Sequence, residues 1–166
     1  MDGEHSTVTG TPLLERYFED YQTGEVFEFG EHRVTEDEIM RFARDYDPQP
    51  FHLDHAAAAA SHFGGVVGSG WMTCGIVMRL YVDHFIPPCS AMGGGGVDKL
   101  RWTLPVRPGD HLHARATVLA TRVSSTKPDR GFVTLLQEGV NQRGEIVVSY
   151  EGVGIFKTRA GGVSAA

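Results

Sequence analysis

Three observations predict an α+β fold in which an antiparallel sheet wraps around one long central helix. Residues 70 to about 85 make a helical stretch that is apolar on nearly all sides, carrying Trp71, Met72, Cys74, Ile76, Val77, Met78, Leu80, Tyr81 and Val82. Such a helix has to be buried over most of its surface. Four β-rich segments follow, near 97–104, 111–123, 131–142 and 145–157, parted by turn residues at 105–109, 128–131 and 141–144. No internal repeat or second compositional regime divides the chain, so one core has to be built from this helix and these strands, and a sheet around the helix is the most economical packing.

The earlier elements are shorter. Residues 25–34 carry enough β-formers for a first strand. Thr35 and Glu38 are spaced as a capping box that starts a helix toward Tyr46. Pro48 and Pro50 break that helix and hold the next residues extended, so Asp47 and His52 are expected in a stiffened loop. Asp54 suits the N-cap of a short helix over 55–62, which Gly64 and Gly65 end. The glycines from Gly93 to Gly96 read either as a tight lip near the end of the long helix or as a plain linker. The last two strands read as a hairpin.

The chain has 166 residues, 41% of them hydrophobic, enough for a single domain with a real core. That domain is expected over 12–159, with residues 1–11 and 160–166 as flexible polar tails. A formal net charge of −6 with scattered Lys and Arg gives no electrostatic footprint for nucleic acid or an anionic membrane. No basic-then-apolar leader opens the chain, and no apolar run approaches the roughly 20 residues of a membrane span. A cytoplasmic protein is expected. A lone open sheet leaves strand edges exposed, so a homodimer or a dimer of dimers is expected.

Cys74 and Cys89 lie within and just after one predicted helix, a poor arrangement for a bridge, and neither has a marked partner base. Both read as reduced thiols. His52, Asp54, His55 and His62 are good ligand types, yet their spacing does not make a tight site, and His111 with His113 lacks a third ligand. No metal and no cofactor is expected.

The chemistry concentrates in Asp47-Pro-Gln-Pro-Phe-His52, followed by Leu53-Asp54 and by Gly68-Ser69-Gly70-Trp71 at the start of the long helix. A carboxylate, an imidazole and a bare helix N-terminus are the parts needed to add or remove water beside a thioester carbonyl. The Asp-to-His spacing taken alone also fits an ordinary turn pair in which Asp47 caps and His52 packs. Asp54 reads as a helix N-cap.

These residues resemble the MaoC-like dehydratases of the hot-dog fold, the family that includes R-specific enoyl-CoA hydratases. The family's loop pattern of Asp, Asn-Pro and His is matched at Asp47, Gln49-Pro50 and His52, and its following aspartate at Asp54. Its helix opening is matched at Gly68-Ser69-Gly70-Trp71, and its Pro-Val-x-x-Gly-Asp turn by Pro105-Val106-Arg107-Pro108-Gly109-Asp110. The likeness spans roughly residues 16–157. Three positions depart from it: Tyr46 stands for Gly, Gln49 for Asn, and Ser69 for His.

The resemblance implies reversible hydration of a 2-enoyl thioester to a 3-hydroxyacyl thioester, with coenzyme A favoured over a carrier protein as the handle. It implies that Asp47 and His52 hold the attacking water and that the Gly70 N–H is the oxyanion donor. Ser69, Trp71 and Gln49 are expected to bind substrate. Two other readings keep the fold: an acyl-CoA thioesterase, and a non-catalytic acyl-CoA binder. The first usually places an acid on the early turns of the central helix, whereas here the first acid after Gly70 is Asp83.

Overall fold

The computed structural model describes residues 10–162. Most of the predicted tails, residues 1–9 and 163–166, lie outside the described residues. Two single 3₁₀ turns, Leu13–Glu15 and Phe18–Asp20, lead into β1 (Val26–Arg33). Then come α1 (Glu36–Tyr46), α2 (Pro50–Leu53), α3 (His55–Ala60) and α4 (Gly70–His84). The rest is β2 (Ala91–Trp102), β3 (His111–Val123), β4 (Arg130–Asn141), β5 (Ile146–Lys157) and α5 (Arg159–Gly162).

The strands form one antiparallel sheet in the order β1-β3-β4-β5-β2. The predicted fold class holds: α4 packs against β1, β3, β4 and β5, and the sheet curves around it. β4 and β5 are the expected hairpin, turning at Asn141–Gly144. Alternation drives the packing. Val133, Leu135 and Gln137 on β4 and Leu112, Ala114, Ala116 and Val118 on β3 all point inward. α4 supplies Met72, Ile76, Val77, Leu80 and Tyr81 to the same core. Helix and sheet meet closely at Gly139, where an added Cβ would stand 2.7 Å from Val77 Cγ2 and 2.9 Å from Val148 Cγ1.

Four local expectations are corrected. Thr35 accepts from the Glu38 N–H at 3.2 Å, but the Glu38 carboxylate turns to His32 Nε2 at 2.9 Å, leaving half of the capping box. Pro50 does not hold an extended loop; it starts α2, where its missing N–H costs nothing, and His52 rides on that helix. The glycines from Gly93 to Gly96 belong to β2, where Gly94 pairs with Gly154 and positive φ at Gly93 and Gly96 accompanies breaks in register. Finally, α4 is buried on one face in the single chain. Trp71, Met78 and Val82 remain 60%, 45% and 52% exposed, beside the free edge of β2.

Asp54 caps α3 as predicted, accepting from Ala57 N at 2.7 Å. No described helix is long and apolar enough to cross a membrane.

Candidate active site

Asp47 is the C-cap of α1, and the N-cap Gln49 then opens α2. Only four residues separate Asp47 from His52, and one helical turn folds the two side chains back on each other. His52 Nε2 lies 3.3 Å from Asp47 Oδ2. His52 is 4% exposed, and its Nδ1 lies 2.5 Å from the Val67 carbonyl oxygen. A carbonyl can only accept, so Nδ1 carries a proton and Nε2 is the nitrogen turned toward the carboxylate. The Phe51 ring meets the imidazole edge-on at 4.5 Å and packs on Phe63 in turn. The imidazole is thus held by backbone on one side and by an aromatic pair on the other.

Burial pushes the Asp47 carboxyl up, but hydrogen bonds from Gln49 and Ser69 and the adjacent His52 outweigh it, and the group sits below the usual carboxylate value. The Gln49 amide donates to Asp47 Oδ1 at 2.7 Å. Gln49 therefore reaches the carboxylate directly, despite being longer than the family's Asn.

Ser69 is the N-cap of α4: its buried hydroxyl accepts from Trp71 N at 3.3 Å. Gly70 is the first helical residue, and its N–H donates to no described residue. With the positive end of the helix dipole behind it, that N–H is a donor awaiting an acceptor. Asp47, Gln49, His52, Ser69, Gly70 and Trp71 all line one open cavity of about 500 Å³. Every site residue expected from the sequence is brought to this one place.

Some parts were not foreseen. Trp102, at the end of β2, lies over the first turn of α4; a Cβ on Gly70 would stand 2.5 Å from its indole. The space left by glycine is thus filled by an aromatic wall. Trp71 meets that indole edge-on at 5.3 Å. The only sequence signal was a lone Trp shortly before the Pro105 turn. The turn itself acts at a distance: Val106 O accepts from Gly68 N at 2.8 Å, and Arg107 donates to Phe63 O at 2.6 Å. It moors the segment that carries Val67 and the helix start. Tyr46 is 76% exposed and meets Phe42 at a tilt, 5.1 Å between ring centres, lining a separate hollow between α1 and α4.

His55 pairs with Glu36 and His111 with Glu31, at 2.9 and 2.8 Å. Among the described residues no three His, Cys, Asp or Glu side chains converge to hold a metal ion. Burial pushes the Cys74 thiol up, against a smaller opposing contribution from Trp102, so it is a poor nucleophile.

A sheet-wrapped helix with an Asp–His pair at its N-terminus defines a hot-dog domain of the MaoC-like class. The family model described as a MaoC like domain matches residues 20–138, and the chain belongs to that family. Among solved structures, the MaoC-like dehydratase from Rhodospirillum rubrum is 43% identical, with a TM-score of 0.80 over 86% of this chain and 98% of that one. The (R)-hydratase of A. caviae involved in PHA biosynthesis is 27% identical, with a TM-score of 0.65 over 81% of this chain and 96% of that one. The mesaconyl-CoA hydratase of Cereibacter sphaeroides is 31% identical over 81% of this chain, which spans only 39% of that relative's length.

Proposed function

We propose that this protein hydrates 2-enoyl-CoA thioesters reversibly to 3-hydroxyacyl-CoA, with Asp47 and His52 as the water-holding pair. The observation that carries the reading is the 3.3 Å approach of His52 Nε2 to Asp47 Oδ2 in the cavity that the Gly70 N–H also lines. A water on the cavity side, hydrogen-bonded to both carboxylate and imidazole, adds its oxygen to C3, and its proton passes to the pair. The electrons of the C2=C3 bond move toward the thioester oxygen, where the Gly70 N–H meets the developing charge. C2 then takes up a proton from the pair, and the reverse sequence dehydrates. Gln49 orients Asp47, Ser69 caps the helix that carries the donor, and Trp71 with Trp102 bounds the mouth where substrate enters.

The thioesterase alternative finds no support, because Asp83 stands in the last turn of α4 and is tied to Arg79 at 2.7 Å. The substrate handle is coenzyme A, and the setting is cytoplasmic. Two copies pair through the outer face of α4 and the edge of β2, where Trp71, Met78, Val82 and Val97 stand exposed.

The test is loss of enoyl absorbance with short, medium and methyl-branched 2-enoyl-CoAs. Turnover is expected, and no free thiol should be released. Thiol release without hydration would replace this reading with hydrolysis, and binding without turnover would replace it with a binding module. For the assembly, light scattering should give twice the 18.1 kDa chain mass, and a monomer at micromolar concentration would sink the pairing.

A further inference from the structure

Between α3 and α4 the chain has neither helix nor strand over residues 61–69. This stretch nevertheless supplies both things that fix the imidazole: the Val67 carbonyl beside His52 Nδ1, and the Phe63 ring that backs Phe51 against His52. Without a ladder of its own, such a stretch keeps its shape through the partners its backbone finds elsewhere. From Phe63 to Gly68 the backbone bonds to other parts of the molecule at three places, and one of them is His52 itself. The other two come from the 105–110 turn, at Gly68 N through the Val106 carbonyl and at Phe63 O through the Arg107 guanidinium.

That turn is a fixed point. Gly109 N donates to Val34 O and Val34 N to Asp110 O, both at 2.8 Å, which ties the turn to the end of β1. Asp110, 8% exposed, accepts from the Arg107 N–H and from the Gln142 amide, both at 2.8 Å, which ties it to the β4–β5 hairpin. The two carboxylate oxygens are used in this way, and the Arg107 guanidinium is left for Phe63 O. A charged donor makes a stronger tie to a carbonyl than a neutral one. The guanidinium also lies against Gly65, where an added Cβ would stand 3.4 Å from Nη1, so it braces the chain between Phe63 and Val67. Arg107 is not part of the wall of the catalytic cavity, whereas Phe63 and Val67 are, so it reaches the chemistry only through them.

We propose that Arg107 is a positioning residue for His52: from the fixed turn it holds the segment whose ring and carbonyl set the imidazole against Asp47. The consequence for rate rests on the hydratase reading of the site, and the consequence for the imidazole does not.

The test compares wild type with Arg107→Met, which keeps the stem and loses the donors, and with Arg107→Lys, which keeps a charged donor. Two readouts are taken: steady-state hydration of a short 2-enoyl-CoA, and the proton NMR resonance of His52 Nδ1–H, assigned by its loss in His52→Ala. A misplacement of about 1 Å can cost about 10² in rate. In Arg107→Met kcat should therefore fall on the order of tenfold or more with KM little changed, and Arg107→Lys should recover part of the loss. The Nδ1–H resonance should be sharp in wild type, broadened or lost to exchange in Arg107→Met, and regained in Arg107→Lys. An unchanged kcat in Arg107→Met overturns the proposal, as does a rise in KM alone, which would make Arg107 a grip on the substrate. If Arg107→Met does not fold, Arg107→Lys decides by itself, with a smaller fall in kcat at constant KM expected and an unchanged kcat overturning the proposal. If the wild type hydrates nothing, the resonance decides: its loss in Arg107→Met keeps Arg107 in its role while the hydratase fails, and its persistence there overturns the role whatever the turnover.

Discussion

Asp47→Asn is the sharpest perturbation of the proposed mechanism, because the surrounding hydrogen bonds can survive it while the chemistry cannot. The proton on His52 Nδ1 is committed to Val67 O, so Nε2 is the nitrogen that faces position 47. An asparagine there can turn its NH₂ toward Nε2 and its carbonyl toward the Gln49 amide, which now stands 2.7 Å from Asp47 Oδ1. Both neighbours stay paired and the backbone has no reason to move. The catalytic carboxylate is gone, however, and a neutral amide faces the imidazole in its place. A positioned acid–base group is worth about 10² to 10⁴ in rate, or about 2.7 to 5.5 kcal/mol of barrier. Stopped-flow or steady-state loss of enoyl absorbance should show kcat/KM falling by that factor, with a cooperative thermal melt retained at neutral pH. His52→Ala should cost a similar factor, and the double variant little more than the worse single one, since the two side chains hold one water. Retention of more than a tenth of the wild-type rate in Asp47→Asn, or full multiplication of the two losses, would refute the shared-water mechanism.

Other consequences are independent of that result. Gly70→Ala drives a methyl to about 2.5 Å from the Trp102 indole, so it should cost about 1–3 kcal/mol of stability by overpacking, and Trp102→Ala in the same chain should restore much of the loss on a thermal melt. Gly139→Leu forces a side chain between α4 and the sheet and should destabilise by a comparable or larger amount in urea unfolding, with Gly139→Ala less harmful. The Asp47 carboxyl lies below its ordinary value of 3.8 in the folded chain. Its contribution to stability is therefore fully present above that value and is lost as pH falls through the lower, folded one. The melting difference between wild type and Asp47→Asn should shrink only in that acidic window, and a difference that instead vanished between pH 5 and 7 would contradict the assignment.

How legible was all this in the chain? Local signals served where one stretch of sequence decides the outcome. Asp54 before an alanine run made an N-cap, and the apolar run from Trp71 onward made a helix. The Asp47–His52 pair was legible for the same reason, since both members sit within one turn of chain. What fixes the imidazole was not, because the Val67 carbonyl lies fifteen residues on and a backbone oxygen leaves no side-chain signature. The Trp102 indole over Gly70 was hidden likewise, since it arrives from the end of a strand thirty-two residues later. Glycine is a weak strand former, and the stretch from Gly93 to Gly96 argued locally for a loop; pairing with β5 overrode it. The two faces of α4 also read alike, because an apolar side chain facing the sheet and one left exposed beside β2 carry the same letters.

The three departures from the family pattern bear on the site unequally, and geometry sorts them. Tyr46 points into the hollow between α1 and α4, away from the catalytic cavity, so it neither blocks nor builds the reaction centre. Ser69 replaces an imidazole beside the oxyanion donor with a small hydroxyl that accepts from Trp71 N and helps hold the Asp47 carboxyl low. That exchange removes bulk beside the oxyanion donor while keeping the helix capped. Gln49 adds a methylene to the residue that grips Asp47, yet its amide still reaches Oδ1. The acid–base pair and the Gly70 N–H are therefore untouched by all three, whereas the room around them has changed. Reaction type follows from the residues retained, and selectivity from those replaced, with Ser69 and Gln49 both on the wall of the catalytic cavity.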